Sequence, residues 1–90
     1  MDLQQLRTEI NKIDEELINL LEKRMDLTHE VALFKRENKI PVYDPLREQE
    51  ILDRLSAKIT DEHKDAIIAL YKQLFELSRA EQSKIIGQGT

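Results

Sequence analysis

Two basic residues in the N-terminal third of the chain are spaced for joint binding of a small anion. Arg24 and Lys35 are eleven residues apart, which on an α-helix is three turns with about 20° left over, so both side chains point the same way. Both side chains are long, and the guanidinium of Arg24 keeps its charge at every relevant pH. We therefore expect Arg24 and Lys35 to converge on one small anion.

Arg24 also interrupts an apolar seam, and this permits two interpretations. It stands between Leu20 and Leu27, at a position where a coiled-coil seam calls for an apolar side chain. A buried guanidinium without a partner costs far more free energy than one apolar contact returns. Either Arg24 reaches water and only fixes the register of the helix, or something anionic meets it.

Polar side chains interrupt the apolar faces of two later segments as well. Ser78 and Gln82 are four residues apart and share a helix face, and Asp44, Arg47 and Glu48 share another. Taken singly, Ser78 and Gln82 are compatible with exposed positions. Arg47 and Glu48 are compatible with a solvated surface charge pair. Several polar residues at apolar helix positions in one small chain favour a pocket in which cations, an amide and a carboxylate surround a ligand.

A third arginine cannot reach this pocket from its own helix. Arg7 lies 17 residues before Arg24, about 25 Å along the helix axis and about 100° round it. From the helix of a second chain that runs antiparallel, Arg7 could join the pocket. The sequence thus raises the possibility of a site that two chains share.

The element that must position these cations is one long helix. The gaps between its apolar residues alternate between three and four, as in the a/d seam of a coiled coil. We predict a helix over about 3–38, on the order of 50 Å long, whereas a compact chain of this length has a radius of gyration of only about 12 Å. The seam is therefore expected to pack against a second copy in a two-fold homodimer. Its apolar residues are Leu3, Leu6, Ile10, Ile13, Leu17, Leu20, Leu27, Val31 and Phe34.

Two prolines separate this helix from the rest of the chain. Neither Pro41 nor Pro45 fits inside a continuous helix. Asp44 before Pro45 is typical of an N-cap followed by proline at the first helical position. We predict a short second helix over about 45–57.

A third helix is predicted over about 62–86, with Thr60 or Asp61 as its N-cap. Gly87 is a typical residue for the end of this helix, and residues 88–90 are expected to fray. The apolar stripe of this helix is expected to comprise Ile67, Leu70, Leu74 and Leu77, flanked by Tyr71 and Phe75.

Composition limits the class of protein. The chain of 90 residues is expected to form one domain over 1–90, and without Cys it has no thiolate metal site. Its 36% charged and 4% aromatic residues favour an all-α fold. With the elements above, we predict three helices in the order long-short-long. A net charge of −4 with scattered basic residues disfavours nucleic acid as a partner. No apolar run suits a membrane span and the N-terminus is unlike a signal peptide, so we expect a cytoplasmic location. His29 and His63 are interpreted as solvated or locally bonded, not catalytic.

The order and spacing of three motifs point to one family. The motifs are Arg7, Arg24 and Lys35 on the first helix, Asp-x-x-Arg-Glu at 44–48, and Ser-x-x-x-Gln at 78–82. Over nearly the whole chain, this arrangement resembles the all-helical class of chorismate mutases, including the mutase domains of bifunctional aromatic-pathway enzymes. The resemblance implies an isomerase that rearranges chorismate to prephenate in aromatic amino-acid biosynthesis, without metal or cofactor. It also implies an intertwined homodimeric helical bundle with two equivalent sites.

The resemblance further implies a role for each polar residue. Arginines would hold the carboxylates of the dianionic substrate, and a lysine would contact a carboxylate and the ether oxygen. A glutamine would donate to the ether oxygen, and a glutamate would accept from the ring hydroxyl. The implied catalytic residues are Lys35, Gln82, Arg24 and Glu48. The implied substrate-binding residues are the partner's Arg7, together with Arg24, Lys35, Asp44, Arg47, Glu48, Ser78 and Gln82.

Such a reaction suits a site without a nucleophile. Chorismate rearranges within one molecule, so the protein has only to restrict its conformation and to stabilise the charge that develops on the ether oxygen. Two other functions remain compatible with the sequence. One is an isochorismate pyruvate lyase-like pericyclic enzyme on the same scaffold, and the other is a non-catalytic dimeric helical regulatory domain.

Overall fold

Three α-helices form the protein in a computed structural model that describes residues 1–88. Helix α1 spans Leu3–Asn38, α2 spans Pro45–Ser56 and α3 spans Asp61–Gln88. Within residues 1–88 there is no strand, and none of the helices is both long and apolar enough to cross a bilayer. The predicted all-α fold with helices in the order long-short-long is confirmed.

Both ends of α1 are closed by local hydrogen bonds. The Asp2 carboxylate accepts from the Gln5 backbone N–H at 2.8 Å, and the Gln5 side chain accepts from the Asp2 backbone N–H at 2.9 Å, which is a capping box. At the other end Lys39 has a left-handed backbone (φ 54°). The Ile40 N–H then donates to the Lys35 carbonyl at 2.9 Å, so that the chain turns sharply just before Pro41.

The ends of the other two helices differ slightly from those predicted. Asp44 caps α2 as expected, but α2 ends at Ser56 rather than at residue 57. Helix α3 begins at Asp61 and extends through Gln88, so it ends next to Gly87 as expected. Gly87 lies inside the helix rather than beyond its end, and the fraying expected at residue 88 is wrong. Gly87 does not have a positive φ, and a glycine in helical conformation costs only about 1 kcal/mol relative to alanine. Residues 89 and 90 lie outside the described part of the chain.

Helix α3 is the element that holds the other two together. It packs against α1 and against α2, whereas α1 and α2 make no helix-to-helix contact of their own. The result is elongated, with principal extents of 54 × 25 × 15 Å and a radius of gyration of 16.4 Å, well above the ~12 Å of a compact chain of this length. Helix α3 therefore sets the spacing between α1 and α2.

The single chain has almost no core. Among the described residues, only Ala32, Phe75 and Gln82 are buried. Phe75 makes an edge-to-face contact with Tyr71, with ring centroids 6.1 Å apart. Leu70 and Leu77 of the predicted apolar stripe are instead 64% and 58% exposed. The face of α3 that packs within the chain thus lies to one side of the predicted stripe.

The N-terminal half of α1 has no cover within the chain. Every residue from 1 to 20 is exposed, including six apolar residues of the predicted seam. A row of exposed apolar side chains along one face of a helix is characteristic of an interaction site. The exposed seam residues of this half are Leu3, Leu6, Ile10, Ile13, Leu17 and Leu20.

Candidate active site

Lys35 and Gln82 form a hydrogen-bonded pair between α1 and α3. The Lys35 ammonium donates to Gln82 Oε1 at 2.9 Å and to the Val42 carbonyl at 2.8 Å. Gln82 is the one polar residue that is buried among the described residues, with 7% of its surface exposed. The sharp turn after α1 brings Val42 back to Lys35, so the loop before α2 helps to fix the direction of this ammonium group.

Arg24 contacts the same helix from a position eleven residues earlier. Its Nη1 donates to Ser78 Oγ at 3.1 Å, and the two side chains are partly buried. Ser78 is one turn before Gln82 on α3. As the 20° offset on α1 predicts, Arg24 and Lys35 therefore both face α3.

The start of α2 supplies a cap and a surface ion pair. Asp44 Oδ1 accepts from the Arg47 backbone N–H at 3.0 Å, which makes it the N-cap of the helix. The Arg47 side chain pairs with Glu50 at 2.6 Å, and both side chains are at least half exposed. The alternative interpretation of Arg47 and Glu48 as a surface charge pair therefore does not hold, since each of these residues has a different partner.

Glu48 instead crosses to α3, where Arg79 binds it. Arg79 Nη1 donates to both carboxylate oxygens, at 2.6 and 2.5 Å. The Arg79 guanidinium carbon lies 5.1 Å from the ring centre of Tyr43, within the range of a cation–π interaction. The hydrogen bond to Glu48 is the main cause that raises the pKa of Arg79 above its ordinary value.

Two open cavities share Arg24 as a lining residue. The larger, about 450 Å³, is lined by five apolar residues of α1 and α3 and by six polar or charged ones, which are Arg24, Asp26, Thr28, His29, Ser78 and Glu81. The smaller, about 270 Å³, is lined by Arg24, Ile51, Leu55 and Tyr71 and by three further cations. Those three cations are Arg47 and Arg54 on α2 and Lys58 in the turn that follows it.

Arg7 is the predicted site residue that the fold leaves apart. It is exposed on the bare half of α1, and no residue among 1–88 forms an ion pair with it. The remaining predicted residues form three side-chain contacts with α3 and the N-cap of α2, except Arg47, which pairs with Glu50 on the surface. Arg24 and Lys35 face Ser78 and Gln82 on one side, while Glu48 is bound to Arg79 on the other.

Sequence reasoning missed Arg79 and Tyr43. Arg79 stands inside the Ser-x-x-x-Gln motif, directly after Ser78, and its position within that motif was the one available signal. Tyr43 immediately precedes the N-cap of α2, where no periodicity would single it out. In the structure Arg79 binds the Glu48 carboxylate, and Tyr43 packs against Arg79.

The fold and the site together define a class of protein, a helical protein with a cation-lined cleft suited to a small anion. Hydrogen bonds already direct the Arg24 guanidinium and the Lys35 ammonium group. The family model for chorismate mutase type II matches residues 6–83. Since this match covers most of the chain, the protein belongs to the chorismate mutase type II family.

Similar proteins of known name agree with this family. A chorismate mutase of Methanocaldococcus jannaschii is 32% identical over 93% of this chain and 87% of its own length. A bifunctional chorismate mutase/prephenate dehydratase of Aquifex aeolicus is 27% identical over 93% of this chain. The T-protein of Haemophilus influenzae is 33% identical over 91% of it. The chain spans only 25% and 22% of the lengths of the last two proteins. No solved structure matches the chain significantly.

Proposed function

We propose that the protein is a chorismate mutase, an isomerase that rearranges chorismate to prephenate in aromatic amino-acid biosynthesis. The observation that carries this proposal is the pairing of Lys35 with the buried Gln82, one helical turn from the pairing of Arg24 with Ser78. A cation and an amide held in this way provide donors of fixed direction between α1 and α3. Membership of the chorismate mutase type II family and the similarity to the Methanocaldococcus enzyme support the proposal.

The reaction requires little chemistry from the protein. One C–O ether bond of chorismate breaks while one C–C bond forms in the same molecule, so no proton or electron passes to a side chain. The ether oxygen gains negative charge as its bond lengthens. Donors aimed at that oxygen bind the transition state more tightly than the substrate and therefore raise kcat.

Lys35 and Gln82 retain donors for this purpose. An ammonium group has three N–H donors, and two of those on Lys35 are directed to Gln82 and Val42. Because Lys35 occupies the carbonyl oxygen of the Gln82 amide, the amide nitrogen is the group that remains to donate. We infer that the third Lys35 donor and the Gln82 amide nitrogen face the ether oxygen.

Arg24 and Ser78 are assigned to a substrate carboxylate. A guanidinium has five N–H donors in a planar fork, so Arg24 can keep its bond to Ser78 while it binds a carboxylate in two-pronged geometry. We assign Glu48 to the ring hydroxyl as an acceptor. Asp44 and Arg47 support the pocket, Asp44 by capping α2 and Arg47 by its charge at the smaller cavity.

We further propose that the active form is a homodimer in which the partner's Arg7 completes each site. The bare apolar seam on the first half of α1 gives two copies of the chain a surface to share. Arg7 lies on this half of α1 and is otherwise without a partner for its charge among the described residues. A cytoplasmic location and the absence of any cofactor remain predictions.

Incubation of the purified protein with chorismate tests the function. The proposal predicts loss of chorismate absorbance with prephenate as the product and with no release of pyruvate. Release of pyruvate from isochorismate without prephenate formation would instead identify a lyase. If neither substrate is consumed by the folded protein, the proposal is wrong and a regulatory role becomes the better interpretation.

A further inference from the structure

The ion pair between Glu48 and Arg79 differs from every other ion pair among the described residues. The other four join residues three apart on the same helix, and at least one partner in each is half exposed or more. Glu48 and Arg79 join α2 to α3, and their side chains are only 22% and 31% exposed. The pair is therefore part of the tertiary structure and is better shielded from solvent than the rest.

Three contacts fix the direction of the Glu48 carboxylate. One nitrogen of Arg79 contacts both carboxylate oxygens, and the flat guanidinium lies over the ring of Tyr43. A guanidinium held on one side by a carboxylate and on the other by an aromatic ring has little freedom to rotate. Tyr43 stands directly before Asp44, the N-cap of α2, so the ring is itself attached to the end of the helix that carries Glu48.

Arg79 lies on α3 between the two residues that contact the cations of α1, while it binds Glu48 of α2 itself. It follows Ser78, the partner of Arg24, and precedes Gln82, the partner of Lys35, by three residues. Because successive helix residues are 100° apart, Ser78 and Gln82 face α1 while Arg79 faces α2. The spacing between the cations on α1 and the carboxylate on α2 is thus set by neighbouring residues of one helix.

We propose that Arg79 is a positioning residue for Glu48 and that it directs the Glu48 carboxylate toward the ring hydroxyl of the substrate. A carboxylate has about four lone-pair sites, and Arg79 takes one on each oxygen, so sites on both oxygens remain for a hydroxyl donor. Arg79 does not touch the substrate and acts only through Glu48. This inference rests on the proposed chorismate mutase function.

A double-mutant cycle tests the proposal. The four proteins are the wild type, Arg79→Met, Glu48→Ala and the double variant, and kcat and KM for chorismate are measured for each. In the wild-type background, Arg79→Met should lower kcat/KM between about tenfold and a hundredfold, the loss expected for a misplaced binding group. In the Glu48→Ala background it should change kcat/KM by less than about twofold, because no carboxylate is left to position.

Two further measurements separate positioning from general support of the fold. Arg79→Met should divide its loss between kcat and KM in the same proportion as Glu48→Ala does, since one acts through the other. Arg79→Lys should recover part of the loss, because an ammonium group still binds a carboxylate oxygen. Arg36→Met, at an exposed arginine on α1, is the matched control and should leave the kinetics unchanged.

The outcomes distinguish this proposal from the function on which it rests. If the wild type does not rearrange chorismate, the proposed function itself has failed. If the wild type is active but Arg79→Met lowers kcat/KM by more than about twofold in the Glu48→Ala background, or leaves the wild-type background unaffected, Arg79 does not position Glu48. Should Arg79→Met fail to fold, as judged by circular dichroism, Arg79→Gln replaces it in the cycle with the same expected pattern.

Discussion

Replacement of Lys35 by alanine separates catalysis from binding in this site. Lys35 is assigned one donor to the ether oxygen, and a single donor that acts on developing charge is typically worth about 3–4 kcal/mol of transition-state stabilisation. At 1.36 kcal/mol for each factor of ten, Lys35→Ala should lower kcat by a factor on the order of 10² to 10³. KM should change much less, since Arg24 and Arg7 still bind the carboxylates.

The same substitution has a second, structural consequence. It leaves Gln82 Oε1 buried without the donor that it has in the native protein. An unsatisfied buried acceptor typically costs about 1–3 kcal/mol, so the free energy of unfolding should fall by about that amount. The combined variant Lys35→Ala, Gln82→Leu removes both polar partners and should recover part of this stability without recovering activity.

The assay compares kcat, KM and urea denaturation for these variants with those of Lys84→Ala. Lys84 is an exposed lysine on α3 that pairs with Glu81, and such surface pairs contribute at most about 1 kcal/mol. Lys84→Ala should therefore have nearly normal kinetics. The reasoning is refuted if Lys35→Ala retains the wild-type kcat, or if its loss appears entirely in KM.

Three more predictions concern the cap, the exposed seam and the smaller cavity. Asp44→Ala should reduce the free energy of unfolding by about 1 kcal/mol through loss of the N-cap, whereas Asp44→Asn should be nearly neutral in a urea titration; equal losses would argue against capping. Ile13→Glu should dissociate the proposed dimer, because a two-fold interface would bury both new charges together, and sedimentation that shows an unchanged species would contradict this. Arg54→Met combined with Lys58→Met should flatten the dependence of kcat/KM on ionic strength if these cations attract the dianion; an unchanged slope would exclude that role.

The sequence predicts best those features that depend on local chemistry. The long apolar seam predicts α1, and the Asp44-Pro45 pair predicts the start of α2. The common direction of Arg24 and Lys35 follows from helical geometry alone. The end of α3 was less well predicted, because Gly87 terminates a helix only where the backbone adopts a left-handed conformation, and here it does not.

Features that depend on which face of a helix meets which neighbour were harder to predict. Leu70 and Leu77 were assigned to the packed stripe of α3, yet they are exposed in the single chain while Phe75 is buried. Periodicity identifies an apolar face but not the element that covers it. For the same reason the sequence did not identify Arg79, 31 residues further along the chain, as the partner of Glu48.

The central claim is that two chains together hold one dianionic substrate, and mixing two inactive variants tests it most directly. Arg7→Ala and Arg24→Ala should each abolish activity alone. After random subunit exchange in an equal mixture, half of the dimers contain one chain of each kind, and one of the two sites in each such dimer is intact. The account predicts recovery of about a quarter of the wild-type specific activity. No recovery, once exchange is verified by mass spectrometry of the mixed dimers, would contradict it.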